Sequence, residues 1–255
     1  MKKLILFLTA LFLITGCSSD DSNNGGDSNL FVIELEPSKT EVVVDEHFTI
    51  TVHSEDEIKE VSVSLDNFVT SSSRMTSGTY GTSYTFYFNF DTLGEKTIYI
   101  RIRNQDGQVS EKQVTVNVIR GNAIKINGVQ ILSFHTMETN TYDLRFGFAK
   151  RKLYNYYETA YNYTNWYRSA VIDNEGDMTW NCSSDNLYIV SNPYDKLRFG
   201  LGGVISGDVG VDLTNSPSGY AEISFEEYLT TKPSEIIYSF PENGLEFKVF
   251  VDWVD

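Results

Sequence analysis

Cysteine, histidine and proline are scarce in this chain, at two, three and five among 255 residues. Two cysteines cannot form a disulfide framework, so a hydrophobic core has to supply the stability. Of the three histidines, His47 and His53 are six apart on one strand face, about 20 Å when extended, too far to share a metal. The Gly-x-Ser-x-Gly elbow is missing, as are His-Glu-x-x-His and the phosphate-cradling glycine loop followed by Lys. Glu226 and Glu227 are adjacent, and on a strand adjacent side chains face opposite sides. The remaining carboxylates show no spacing that selects a catalytic pair, so neither an enzyme nor a cofactor is expected. Positive charge is also in deficit, with 20 Lys and Arg against 35 Asp and Glu and a net charge of −15. Such a balance argues against nucleic acid or an anionic membrane face as partner. No window carries a sustained helical period. The one long apolar run, Leu4 to Ile14, falls short of the roughly 20 residues a membrane span needs.

That short run is informative. Lys2 and Lys3 precede it, and small Thr15 and Gly16 lead into Cys17, which is the layout of a cleaved secretory signal over residues 1–16. Ile14-Thr15-Gly16-Cys17 resembles the lipobox of bacterial lipoproteins, which implies acylation of Cys17 after cleavage. Several acyl chains at about 0.8 kcal/mol per buried CH₂ hold such a protein on a bilayer. Ser18-Ser19-Asp20-Asp21-Ser22 is similar to the acidic export signal of surface lipoproteins in Bacteroidetes-type bacteria, and implies display on the cell-surface face of the outer membrane. Residues 18–29 contain no apolar side chain, so 17–29 reads as a lipidated flexible tether. The mature chain then carries 18 Lys and Arg against 35 Asp and Glu. With Cys17 committed to lipid, Cys182 stands alone. Either it is a reactive or bridging thiol, or it is a buried small apolar residue beside Trp180.

Sixteen Tyr and sixteen Phe, with abundant Val, Ile and Thr, suit pleated surfaces. In residues 30–119 short alternating runs recur about every ten residues, as in an antiparallel sandwich. Phe48, Ile50 and Val52 share a face; so do Val61, Val63 and Leu65, then Tyr84, Phe86, Phe88 and Phe90, then Ile98, Ile100 and Ile102, then Val114, Val116 and Val118. Asn104-Gln105-Asp106-Gly107 joins the last two runs by a tight turn in which glycine supplies a positive φ. With Asp91 to Gly94 and Tyr99, this closing hairpin resembles those of bacterial immunoglobulin-like or PKD-type repeats, which implies a spacer or adhesion module.

Gly121-Asn122 marks a joint, and residues 120–255 form a second β system. Ile124, Ile126, Val129 and Ile131 open it with a phase change at Asn127-Gly128, the sign of a bulge or a bend. Leu245, Phe247, Val249, Val251 and Trp253 alternate through its last strand. The stretches Ile124 to Phe134, Tyr142 to Phe148, Lys196 to Leu213, Tyr228 to Ile237 and Leu245 to Trp253 resemble the C2-like domains of Bacteroidetes lipoproteins. The resemblance implies a calcium site, with Asp143 as its first-loop acid. Where the family carries Asp-x-Asp this chain reads Gly200-Leu201-Gly202-Gly203, and only Asp208 and Asp212 follow; among Gly207, Gly210 and Pro217 both also suit turns. The expected architecture is all-β: two antiparallel β-sandwich domains in tandem after the lipidated tether.

One stretch stands out in composition. Tyr154, Tyr156, Tyr157, Tyr161, Tyr163, Trp166 and Tyr167 fall beside Arg151, Lys152 and Arg168. Flat aromatics with polar tips serve stacking on sugars and protein hot spots, and they serve equally as strand residues that fill a core. The expectation is therefore a surface-exposed, membrane-anchored lipoprotein acting as a non-catalytic binding, adhesion or structural module, its partner a protein or glycan. The alternatives are a glycan-binding component of a nutrient-uptake system using the aromatic stretch, and a calcium-dependent module.

Overall fold

A computed structural model describes residues 31–69, 74–135, 142–153, 161–190, 196–205 and 209–254. Cys17 and the tether lie outside them. Alternating apolar runs become strands: β1 (Ile33–Pro37), β2 (Glu41–Val43), β3 (Phe48–Ser54), β4 (Ile58–Ser64), β5 (Arg74–Ser77), β6 (Ser83–Phe88), β7 (Gly94–Asn104) and β8 (Val109–Ile119). They pair as two sheets, β1-β3-β6 and β2-β8-β7-β4-β5. Every pairing is antiparallel except β2 with β8, which is parallel because Glu41–Val43 runs beside Asn117–Ile119 in the same direction. The inward faces are those the alternation picks out, with Phe48, Ile50, Val52, Val61, Val63, Phe86, Phe88, Ile98, Ile100 and Ile102 buried.

Leu65 departs from that pattern at 44% exposed. Strand β4 has ended at Ser64, whose hydroxyl accepts the amides of Asp66 and Phe68 and turns the chain out of the sheet before Leu65 can face inward. At the other end of this sheet, the β7–β8 hairpin closes as expected. Gly107 takes φ +83, and the buried Asn104 side chain holds the turn by donating to Asp56 and Gln108.

The second unit comprises β9 (Ile124–Ser133), β10 (Tyr142–Leu153), β11 (Tyr161–Arg168), β12 (Ile172–Asp173), β13 (Thr179–Asn181), β14 (Leu187–Ile189), β15 (Leu197–Ile205), β16 (Val209–Asp212), β17 (Ala221–Ile223), β18 (Glu235–Phe240) and β19 (Leu245–Asp252). One sheet runs β13-β9-β19-β18, with β14 also on β9. The other runs β11-β10-β15-β16, with β12 on β10 and β17 on β15. The sheets meet face to face through Phe199 of β15 and Phe247 of β19, stacked at 3.9 Å. The bulge at Asn127 is present: Phe250 faces Gly128 and Val251 faces Ile126, so Asn127 has no opposite number. Glu226 and Glu227 do not lie on a strand; they open a 3-10 turn, Glu226–Tyr228, after β17.

Cys182 is fully buried and unpaired in this core. Burial pushes its thiol pKa up, which keeps it protonated and inert.

The chain passes from one core to the other between Ala123 and Ile124. Gly121 there has φ +52, and a Cβ on it would meet Val43 at 2.4 Å. Three further contacts close the seam. Tyr188, though on β14, packs into the first core. The buried Lys150 ammonium donates to Asp45 Oδ2 at 2.7 Å and to the Tyr188 carbonyl at 3.1 Å, and lies 3.8 Å from the Trp166 ring centroid. Arg120 bridges to Asp252 at 2.9 Å.

Candidate functional site

The β11-β10-β15-β16 sheet has two unlike faces. Its inner face carries Leu144, Phe146 and Phe148 from β10 and Leu197, Phe199 and Leu201 from β15, all buried. Its outer face is nearly bare. Gly147 stands opposite Gly200, Arg145 opposite Gly202, and Asp143 opposite Val204, which in turn faces Gly210 of β16. Without side chains in the middle, the face sinks into a trough of about 290 Å³, floored by Gly147, Gly200, Gly202 and Gly210. Arg145, Arg168, Val171 and Val204 form its walls. Arg168 is placed there by its pairing with Gly147.

Glycine in a strand weakens it, because the backbone loses more entropy and no side chain packs. Some glycines of this unit are required by packing. A Cβ on Gly203 would meet Leu213 at 2.7 Å, and one on Gly128 would meet the Trp180 carbonyl at 2.5 Å. The trough glycines differ. A Cβ on Gly200 or Gly202 would find its nearest neighbour at 3.6 and 3.7 Å, and one on Gly210 would find nothing within 4 Å. Gly147 is tighter, at 3.3 Å from the Tyr167 carbonyl. None of the four has a positive φ.

The next row of the same face is aromatic and charged. Arg198 of β15 lies 3.5 Å from the Tyr163 ring centroid and 4.0 Å from that of Tyr220, with Glu222 3.6 Å from its Nε. Lys196 donates to the same carboxylate at 3.0 Å, which raises the lysine pKa. Tyr220 and the trough glycines were not legible as site residues in the sequence. The Gly200-Leu201-Gly202-Gly203 run was the available signal, read only as a departure from an acidic pair.

The aromatic stretch divides between the two faces. A register shift after Phe148 pairs Tyr167 with Phe148 and Asn165 with Ala149, leaving Trp166 as the extra residue. Trp166 and Tyr167 consequently both pack against the core, the first beside Lys150 and Phe148, the second 5.6 Å from Phe146. The Tyr167 hydroxyl donates to Asp185 at 2.6 Å and lies 3.5 Å from Cys182 Sγ. Burial, then these partners, push its pKa well above the usual tyrosine range. Neither ring belongs to an exposed platform. Tyr163 remains on the outer face, Tyr161 opens β11, and Tyr154, Tyr156 and Tyr157 lie outside the described residues.

Of the acids named for calcium, Asp143 and Asp212 are not brought together. Asp143 is exposed on β10, whereas Asp212 is two strands away and two residues along, about 12 Å by sheet spacing. Asp212 Oδ1 accepts the Thr214 amide at 2.9 Å, the bond of a turn residue. Asp208 lies outside the described residues. Among the described residues no three His, Cys, Asp or Glu side chains converge on a metal position.

No family model matches the chain, and no curated protein matches it. Among solved structures it is similar to a carbohydrate-binding module of the β-sandwich superfamily, at 10% identity and a TM-score of 0.29, over 90% of this chain and 100% of that one. It is also similar to latent PorU from Porphyromonas gingivalis, at 11% identity and a TM-score of 0.29, over 77% of this chain and 20% of that one. A third likeness is to a membrane-anchored protein from Corynebacterium diphtheriae, at 12% identity and a TM-score of 0.27, over 76% of this chain and 58% of that one. Likenesses this slight transfer no activity or partner.

Proposed function

We propose that the chain is a lipid-anchored, surface-exposed lipoprotein in which the first sandwich is a spacer and the second a non-catalytic binding head. The observation that carries the reading is the bare outer face of β10 and β15, a strand face that gives up packing where packing was sterically open. The trough it forms has one carboxylate, Asp143, beside two guanidiniums, an arrangement suited to holding charge rather than exchanging protons. Cys17 anchors the tether, and the seam around Lys150 and Asp45 holds the head to the spacer so that it is presented in a fixed orientation.

Anchorage is tested by metabolic labelling with palmitate and by fractionation. The wild-type chain takes up label and pellets with the outer membrane, while Cys17→Ala does neither. Retention of Cys17→Ala in the membrane fraction would refute anchorage. Protease added to intact cells removes the folded region if it is displayed outward; cleavage only after lysis would refute surface display.

A further inference from the structure

We infer that the glycine trough on the outer face of β10, β15 and β16 is a binding site for an acidic saccharide, with a sugar ring laid on Gly200 and Gly202 and its carboxylate or sulfate held by Arg145 and Arg168. The inference rests on reading the second sandwich as a binding head, and names the ligand class.

Three of the four glycines have room for a Cβ and no backbone conformation that demands glycine, so the fold does not explain them. Close approach of something from outside does. Peptide groups in the middle of this sheet are already paired in the ladder, so the occupant meets a flat surface rather than free donors and acceptors. Over β10 and β15 that leaves no open edge for strand addition. A flat ring suits such a floor, and at about 290 Å³ the trough is at the small end of ligand sites.

The walls supply charge and apolar contact. Arg145 and Arg168 have no ion-pair or hydrogen-bond partner among the described residues, on a chain whose net charge is −15. They stand diagonally across the β10–β11 pairing, because Arg168 faces Gly147 and Arg145 is two residues before it. Two planar guanidiniums at that spacing take one carboxylate or sulfate from two sides. Val171 and Val204, each 40% exposed, offer apolar contact to the ring edges. Beyond Gly147 and Gly200, the half-buried rings of Tyr163 and Tyr220 around Arg198 continue the strip and can stack the next sugar.

Isothermal titration calorimetry on the full chain in detergent tests this with a glucuronate-containing tetrasaccharide, a sulfated tetrasaccharide, their carboxyl-reduced and desulfated forms, and an oligoglutamate of equal charge. An acidic saccharide is expected to bind, and its neutral form about tenfold or more weaker. Arg145→Gln and Arg168→Gln each weaken binding by about tenfold or more, with an unchanged melting temperature. Gly202→Val abolishes binding while the melting temperature holds or rises, since a β-branched residue suits the strand. Absence of binding to both acidic saccharides, indifference to the two arginine substitutions, or retained binding by Gly202→Val overturns the proposal. Equal binding of oligoglutamate overturns it in favour of an acidic peptide. None of these outcomes touches anchorage or display, so the ligand can fail while the lipoprotein reading stands.

Discussion

The two sandwiches are built from the same alternation yet finish their outer faces differently. On the first, cross-strand pairs tie the β7–β8 surface together, Thr97 with Thr115, Arg101 with Glu111, and Arg103 of β7 with Glu60 of β4, and the hollow of about 260 Å³ beside them is lined by side chains such as Tyr99, Glu111 and Gln113 rather than by glycine. Arg101 also lies 4.0 Å over the Phe68 ring. Such pairs each contribute little, but together they leave the face satisfied and polar. On the second, the corresponding place on β10, β11 and β15 carries glycine and two arginines, Arg145 and Arg168, without partners among the described residues. A satisfied face suits a spacer, and an unfinished one suits a head. The difference lies in a few outward positions that the core does not constrain.

The largest expected effect breaks the link between the two units. Asp45→Asn keeps the shape and tolerates the positive φ of 68, but it removes the carboxylate 2.7 Å from the buried Lys150 ammonium. Leaving that charge in place should cost about 3 kcal/mol or more, and combining the change with Lys150→Met should recover most of it. Denaturation monitored by tryptophan fluorescence checks both. All three tryptophans fall in the second unit, so a lowered fluorescence transition that separates from the circular-dichroism transition would show the units uncoupling.

A smaller effect sharpens the contrast between required and unexplained glycines. Gly203→Ala forces a methyl against Leu213 and Tyr142, and should lower stability by about 1–3 kcal/mol. Gly202→Ala, one residue away on the opposite face, should be neutral or stabilising by up to about 1 kcal/mol. Chemical denaturation of the two variants side by side gives the answer. Equal losses would mean that the trough glycines are structural.

The smallest effect concerns pH and the second unit alone. Cys182, Tyr167 and Tyr238 all have pKa values raised, chiefly by burial, above ordinary values of 9.0 for the thiol and 10.0 for the phenols. A raised value means that the folded state holds the proton more tightly. The stability it contributes is therefore complete below about pH 9 and declines as the pH rises through the raised values. Melting curves of the wild type and Tyr167→Phe between pH 8 and 11 check this, and Tyr167→Phe should show the shallower decline.

Alternation in the runs from Phe48 to Val118 and from Leu245 to Trp253 was enough to predict an all-β chain and the inward faces, because a period of two leaves each strand one way to bury its apolar side. The Asn104–Gly107 hairpin and the Asn127 bulge were legible for equally local reasons, whereas the fold decided between the two readings of Cys182 in favour of burial. Tertiary structure decided the rest. The register shift beside Phe148 sent Trp166 and Tyr167 into the core, and a shift of that kind depends on the partner strand. Gly147, Gly200, Gly202 and Gly210 come from three strands and share one floor only once β10, β15 and β16 are paired. Lys150 and Asp45 stand 105 residues apart, and no local pattern marks one as the partner of the other. Periodicity along a strand is a property of the chain, whereas adjacency across strands belongs to the folded sheet.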